Sequence, residues 1–257
     1  MFISRELLIW IRFKIFYKFV KFYSNYFIHQ KTFKINNFFF YTVKENNSMS
    51  KFLLKFNLWE KKERSLIQFL DEGLDTVEAG GGIGSMSVFL RDKIGPKPKI
   101  FVLEPNPKLC EIILNNFKLN NLDNLKKNII INKALSNKAN LKVQLYEFDE
   151  PFENKLTLDS YEFTNRKNSN LIVETIDINS IIKEYNINQF QLIIDVEGEE
   201  YNILNYNNDW LSKCKYIMFE AHHESTKMIK IYNILQKNNF LLYKKNYNVY
   251  LYKRFDS

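Results

Sequence analysis

The sequence predicts an α/β domain built on a mostly parallel seven-stranded sheet, with helices on both faces and a terminal antiparallel hairpin. First, short apolar, β-prone segments alternate with helix-like segments from residue 75 onward, which is typical of a parallel sheet covered on both faces. Second, the last two strand-like segments follow one another directly, as the strands of a hairpin do. Third, 257 residues that are 46% hydrophobic suit one such domain with added segments.

The strands are predicted at residues 75–79, 99–104, 128–134, 191–195, 216–220, 240–244 and 248–252, and the helices between them at 86–91, 107–119, 199–204 and 227–237. Before the first strand, a helix at 59–70 is expected to end ahead of Gly73. Further upstream, Asn36 and Asn37 separate two β-prone runs and predict a hairpin, because asparagine tolerates left-handed backbone. Residues 45–48 are predicted to be a loop.

The N-terminal segment differs from the rest of the chain. Residues 1–37 are predicted to be an accessory segment, a basic aromatic helix and the start of the hairpin, and residues 38–257 to be the main domain. The apolar run near the start is interrupted by basic residues, so neither a transmembrane helix nor a signal peptide is expected. Residues 1–30 fit either a helix at a membrane surface or one packed on the domain. A cytoplasmic protein is expected, with peripheral contact at the inner face of the membrane as the alternative.

Residues 139–175 interrupt the alternation of strands and helices. Two β-like runs, at 141–146 and 171–175, flank a polar loop at 147–170. That loop is longer than the ~12–15 residues expected of a passive connection. It lies ahead of the fourth strand of the sheet, near the edge where ligands of such sheets bind. We therefore expect a lid or a substrate-selecting insertion.

A glycine-rich turn follows the first strand of the sheet. The glycines let the backbone approach a ligand closely, and the helix that follows offers unpaired N–H groups. A dinucleotide-binding fingerprint would need its third glycine at Ser85. The spacing instead fits acidic-x-Gly-x-Gly-x-Gly, the pattern of S-adenosylmethionine (SAM) methyltransferases. The candidate cofactor-binding residues here are Glu78, Ala79, Gly80, Gly81, Gly82 and Gly84.

The ends of the next two strands supply further cofactor candidates. Glu104 ends the second strand, 20 residues after Gly84, where a carboxylate can accept hydrogen bonds from both hydroxyls of a ribose. Pro105 and Asn106 follow it. After the third strand, the small side chain of Ala134 is expected to leave room for an adenine ring.

Catalytic candidates follow the fourth and fifth strands. Asp195 and Glu197 are two residues apart, so in extended chain both side chains point to one side. They are suited to orient a hydroxyl, to take its proton or to bind the positive end of the cofactor; helix capping is the alternative. His222 is a candidate general base. Metal binding by Asp195, Glu220 and His222 is an alternative, but no close-spaced ligand motif supports it, so no metal is expected. Cys110 and Cys214 are expected to be structural.

Taken together, these stretches resemble the FkbM family of SAM-dependent methyltransferases. The matching residues are Val77 to Gly84, Leu103 to Pro107, Ala134 to Ser136, Glu174 to Asp177 and Ile194 to Glu200, with Trp59-Glu60 upstream. The chain departs from the family in having Glu78-Ala79-Gly80-Gly81 where many members have Asp-x-Gly-Ala-Asn.

The resemblance implies a Rossmann-like class I methyltransferase fold, SAM as cofactor and O-methylation of a small-molecule or glycan acceptor, often a sugar in a polysaccharide or natural-product pathway. Two alternatives stay open. The net charge of +8 would suit an RNA substrate, although no RNA-binding module is recognised and the case for nucleic acid is weak. A non-catalytic SAM sensor, tethered by its N-terminal helix, is the other.

Overall fold

A computed structural model describes residues 5–28, 32–41, 48–124, 126–145, 171–196, 198–206, 208–222 and 225–255. The chain divides into two compact units, residues 1–59 and 60–257. The division falls later than the boundary predicted after residue 37, because a helix at Ser48–Lys55 contacts both the first helix and the first strand of the hairpin. That helix begins where the sequence predicts a loop.

The first unit consists of α1 (Arg5–Phe27), β1 (Thr32–Ile35), β2 (Phe38–Tyr41) and α2 (Ser48–Lys55). The strands β1 and β2 pair as the predicted antiparallel hairpin, with Asn36 in the left-handed region at φ 52°. Phe33, Phe40 and Leu54 are fully buried. None of the described helices is both long and apolar enough to span a lipid bilayer.

The second unit contains the predicted seven-stranded sheet, whose strand order is β11-β12-β10-β9-β3-β4-β5. Five of these strands are parallel, and β12 pairs antiparallel with both β10 and β11. The strands are β3 (Asp75–Ala79), β4 (Ile100–Leu103), β5 (Asn128–Ile131), β9 (Phe190–Ile194), β10 (Cys214–Glu220), β11 (Phe240–Asn246) and β12 (Val249–Arg254).

The helices of this unit are α3 (Lys61–Ile67), α4 (Ser85–Ile94), α5 (Pro107–Leu119), α6 (Ile178–Tyr185), α7 (Glu200–Asn205) and α8 (Ser225–Lys237), with a 3₁₀ helix at Asn208–Lys213. The sequence did not predict α6 or the 3₁₀ helix. Side chains of α6 and α8 pack with those of the central strands in one apolar core. This core holds the strand ends in fixed register at the edge where the candidate residues lie.

One strand prediction is wrong. Residues 128–134 were expected to form a single strand, but β5 ends at Ile131 and the chain turns at Asn132. The Asn132 amide donates to the carbonyl oxygens of Glu104 (2.9 Å) and Pro105 (2.8 Å), which directs the chain out of the sheet. Ala134 then starts β6 (Ala134–Leu135), part of a second, three-stranded sheet.

That second sheet has the order β6-β8-β7 and contains the two β-like runs of the predicted insertion. They form β7 (Lys142–Gln144) and β8 (Ile172–Ile176), which pair antiparallel. Most of the proposed lid, residues 146–170, lies outside the described residues. The strands on either side of it are nevertheless confirmed.

The point where the strand order reverses lies at β3. From β3 the chain moves outward through β4 and β5, and it later returns on the other side of β3 through β9 and β10. In open α/β sheets, a crevice forms at the carboxyl ends of the strands at such a reversal, and ligands bind there. The glycine turn after β3 and Asp195 after β9 both lie at this place.

Candidate functional site

The glycine turn after β3 is in direct backbone contact with the end of β9. The Asp195 N–H donates to the Ala79 carbonyl oxygen at 2.9 Å. Gly80 has a φ of +90°, and a Cβ atom placed on it would lie 1.8 Å from the Asp195 carbonyl oxygen. No side chain fits in that space, so glycine is required for the two loops to approach this closely.

The next glycines shape an open cradle. Gly82 has a φ of +53°, and nothing lies within 4 Å of the Cβ atom it lacks. Gly84 is the N-cap residue of α4 and packs closely against Ile113 of α5. The missing side chain at Gly82 therefore leaves space next to exposed backbone, as a closely bound cofactor requires.

Glu104 connects this cradle to the end of β4. One oxygen of its carboxylate accepts the Gly82 N–H and the other accepts the Asn106 N–H, each at 2.8 Å. The side chain is only 5% exposed, and its burial raises the pKa of Glu104 to about 7. Each carboxylate oxygen keeps a second lone pair for a ligand, so the fit to a ribose diol is preserved.

Glu78 lies beneath the turn. It is buried, and its Oε2 accepts a hydrogen bond from the Ser87 hydroxyl at 2.6 Å. Its Oε1 is buried and has no hydrogen-bond partner among the described residues. Burial raises the pKa of Glu78 well above its ordinary value. A positively charged group brought into this crevice would stabilise the ionised form.

The structure brings together a second group of side chains at the ends of β9 and β10. Asp195, Glu220 and His222 each offer a ligand atom within 4.8 Å of the others. His222 Nε2 lies 3.6 Å from Glu220 Oε2. Glu220 is itself held by the Asn248 amide, which donates to its Oε1 at 2.6 Å. Such a group can orient a hydroxyl and accept its proton. Its three ligand atoms are also enough to hold a divalent cation.

His222 is oriented by a buried carboxylate that the sequence interpretation missed. Glu200 in the first turn of α7 lies 3.0 Å from His222 Nδ1, and its side chain has no exposed surface. This contact fixes the ring and directs Nε2 toward Glu220. A histidine held in this way through one nitrogen is available for chemistry at the other.

The crevice beside these groups is strongly acidic. Its wall includes Asp195, Glu220 and Glu78, together with Glu60 and Glu63 from the start of the second unit. Glu60 accepts a hydrogen bond from the Ser85 hydroxyl of α4, and burial raises the pKa of Glu63. Glu78 and Asp195 are candidates from the sequence, whereas the only sequence signal for Glu60 is the Trp59-Glu60 pair of the family resemblance.

Other candidate residues have mainly structural partners. Asn106 caps α5 by accepting the Lys108 N–H at 3.0 Å, and the Pro105 carbonyl receives the Asn132 amide. Ala134 packs in the second sheet with Leu145 and Val173. Gly81 lies against Val102 and Ile113. Glu197 lies outside the described residues, and the adenine site near Ala134 stays a prediction.

The two cysteines are free and buried, and burial raises the pKa of both thiols, that of Cys110 to about 11. A thiolate is the reactive form of cysteine, so burial that disfavours it leaves these side chains as packing residues.

Several solved structures match the chain at low sequence identity, each with a TM-score below 0.5. A protein from Clostridium thermocellum that is described as an rRNA methylase is 10% identical to this chain. The match covers 76% of this chain and 96% of that one, at a TM-score of 0.47. A precorrin-6y C5,15-methyltransferase from Geobacter metallireducens GS-15 is 15% identical (85% and 94% covered, TM-score 0.44). An O-methyltransferase from Bacillus cereus, in complex with SAH, is 12% identical (74% and 76% covered, TM-score 0.42).

No curated protein matches the chain. The model of the methyltransferase FkbM domain matches residues 78–242, more than half of the chain. The matched range begins at Glu78 below the glycine turn and includes Glu104, Asp195 and His222. The chain therefore belongs to the FkbM family of methyltransferases, whose methyl donor is S-adenosylmethionine.

Proposed function

We propose that the protein transfers the methyl group of SAM to a hydroxyl of a sugar, polysaccharide or natural-product acceptor. The observation that carries this proposal is the direct contact between the glycine turn and the end of β9, where Asp195 and His222 meet. The glycine turn and a histidine held by a buried carboxylate thus both lie near Asp195. Such a pairing suits a reaction in which a proton must leave the acceptor oxygen.

On this proposal the cofactor is held by the turn and by Glu104. The backbone at Gly80 to Gly82 follows the cofactor closely, and Glu104 accepts hydrogen bonds from its ribose hydroxyls. The acidic wall, with the buried oxygen of Glu78, favours the positively charged end of the ligand. When bound, SAM supplies a methyl group already activated by its sulfonium, so the protein mainly aligns and deprotonates the acceptor.

The acceptor hydroxyl is assigned to the group formed by Asp195, Glu220 and His222. His222 Nε2 takes the proton, and Glu200 beside Nδ1 stabilises the charged ring that results. Asp195, together with its sequence neighbour Glu197, orients the hydroxyl. A general base of this kind contributes a rate factor of roughly 10²–10⁴.

Binding of SAM is expected to weaken as the pH falls below about 7. Glu104 has a pKa of about 7 because it is buried, and hydrogen bonds donated by a ribose favour its ionised form. Below that pH, the cofactor must displace a proton from Glu104, so its affinity drops by up to about tenfold per pH unit. Calorimetry with SAM at several pH values measures the effect.

Glu104→Gln is the matched variant, since its amide does not titrate. We expect weaker binding at pH 8 and a smaller dependence on pH than in the unaltered protein. A pH dependence that persists unchanged in Glu104→Gln would show that another group controls it.

The reaction itself is tested with SAM that carries a labelled methyl group. The label should pass to hydroxyl-bearing acceptors in a panel of mono- and oligosaccharides, and the product should resist mild base as an ether does. Label transferred to RNA instead would favour the RNA substrate. SAM binding without transfer to any acceptor class would favour a sensor, and absence of SAM binding by the folded protein would contradict the proposal.

A further inference from the structure

The net positive charge of the chain comes entirely from its first compact unit. Residues 1–59 contain 10 lysine and arginine residues and 2 glutamates, out of 37 basic and 29 acidic residues in the whole chain. The second unit therefore has 27 of each sign and no formal net charge, and the first unit carries the entire +8. Charge segregated in this way points to a partner of negative charge for the first unit alone.

The helix α1 also presents an apolar stripe to solvent. Ile15, Phe19, Phe22 and Tyr26 recur at intervals of four, three and four residues, so they lie on one face of the helix. Their exposed fractions are 64%, 54%, 56% and 65%. A contiguous exposed stripe of large apolar side chains marks a surface that contacts something other than water.

The opposite face of α1 already has its own contacts. Val20, Ser24 and Ile28 lie there, and all three are buried. On the side of the helix, Tyr23 packs against Phe52 and Phe56 of α2, with ring centroids 6.0 and 5.9 Å apart. The exposed stripe is therefore separate from the face of α1 that packs into the core of the first unit.

Lysines border this stripe along one side. Lys14, Lys18 and Lys21 are exposed and precede Ile15, Phe19 and Phe22 by one residue each, which places them on the adjacent face. No acidic residue occurs between Glu6 and Glu45. An apolar stripe beside a lysine stripe is the arrangement of helices that lie in the plane of a membrane surface, because lysine stems reach back to the headgroup phosphates.

We propose that α1 binds the surface of an anionic lipid bilayer, with Ile15, Phe19, Phe22 and Tyr26 at the acyl boundary and the lysines over the headgroups. The helix lies on the bilayer, in agreement with the finding that no described helix can span one. A polyanion such as RNA would attract the lysines but would leave the apolar stripe in water. The inference goes beyond the proposed methyl transfer and holds for any acceptor.

Vesicle flotation of the full-length protein tests this surface. The vesicles contain either phosphatidylcholine alone or two parts phosphatidylcholine to one part phosphatidylglycerol. We expect the protein to float with the anionic vesicles, to bind neutral ones far more weakly, and to dissociate as the salt concentration rises. Equal partition to both lipids, or no flotation with either, would overturn the proposal.

Two sets of variants separate charge from apolar insertion. Lys14→Gln/Lys18→Gln/Lys21→Gln should lower vesicle affinity on the order of 100-fold, at about fivefold for each lysine. Phe19→Gln/Phe22→Gln should lower it at least about tenfold through lost apolar contact. All five side chains are exposed, so folding should be preserved, and circular dichroism checks it.

Matched controls come from the second unit. Lys118→Gln/Lys126→Gln/Lys237→Gln removes three exposed lysines, and Tyr247→Gln removes an apolar side chain that is 80% exposed. Both controls should float like the unaltered protein. If either α1 variant floats as well as its control, or if the protein binds single-stranded RNA and ignores vesicles, the membrane assignment is wrong.

Discussion

Replacing Gly80 with alanine is expected to destabilise the protein by about 3–5 kcal/mol and to abolish SAM binding. The added Cβ would lie 1.8 Å from the carbonyl oxygen and 2.9 Å from the carbonyl carbon of Asp195. Both are backbone atoms, so no side-chain rotation relieves the overlap. The end of β9 must move away from β3, which breaks the hydrogen bond from the Asp195 N–H to the Ala79 carbonyl.

Urea unfolding of the purified protein measures this loss, and Gly82→Ala is the matched control. Gly82 lies in the same turn and also has a positive φ, but nothing occupies the space around its added Cβ. We therefore expect Gly82→Ala to cost only about 1 kcal/mol of stability while weakening SAM binding at least about tenfold. Similar stability for the two variants would show that the contact with Asp195 does not constrain the fold.

Replacing His222 with alanine is expected to reduce methyl transfer by roughly 10²–10⁴-fold with little change in SAM affinity. On the proposed mechanism, the imidazole accepts the proton of the acceptor hydroxyl, whereas the turn and Glu104 hold the cofactor. Turnover with a saccharide acceptor from the labelled-methyl panel measures the first effect, and calorimetry with SAM measures the second. His223→Ala, the same change at the next residue in the sequence, is the control.

Glu200→Gln tests how His222 is positioned. Glutamine keeps the shape of Glu200 but removes the charge beside Nδ1, so we expect a smaller loss of turnover than in His222→Ala. Unchanged turnover in both variants would remove the pair from the mechanism.

A chelator separates a general base from a metal site. Asp195, Glu220 and His222 are close enough to share a divalent cation, and His222 would then be a ligand. With His222 as the base, the transfer rate should not respond to chelation. Loss of turnover with chelator, restored by Mn²⁺, would contradict the assignment of His222 as base and would place a cation among these three residues.

Local signals predicted the central sheet and the glycine turn that follows its first strand. A run of apolar residues followed by closely spaced glycines can be recognised within a single segment of sequence. In the structure, Gly80, Gly82 and Glu104 lie together at the crevice. The position of Asp195 at the end of a buried strand was likewise predictable. In each case the strand, the turn and the residue are neighbours in sequence, so no long-range contact had to be known.

Features that depend on contacts between distant segments were missed. Glu200 was not among the candidate site residues, although its buried carboxylate orients His222, 22 positions later. The strand predicted through Ala134 was wrong because the apolar run continues past the point where Asn132 binds the Glu104 and Pro105 carbonyls. The α2 helix was missed as well, since its sequence lies next to a polar loop.

The contact between Gly80 and the Asp195 carbonyl has a consequence for how acceptor choice can change. It joins the turn after β3 to the end of β9 through main-chain atoms. On the proposed function, the spacing between methyl donor and acceptor therefore does not depend on a side chain at this contact. Exchanges of the side chains that line the crevice can then alter which molecule is admitted while the line of attack is conserved. Engineered changes of acceptor should therefore begin with those side chains.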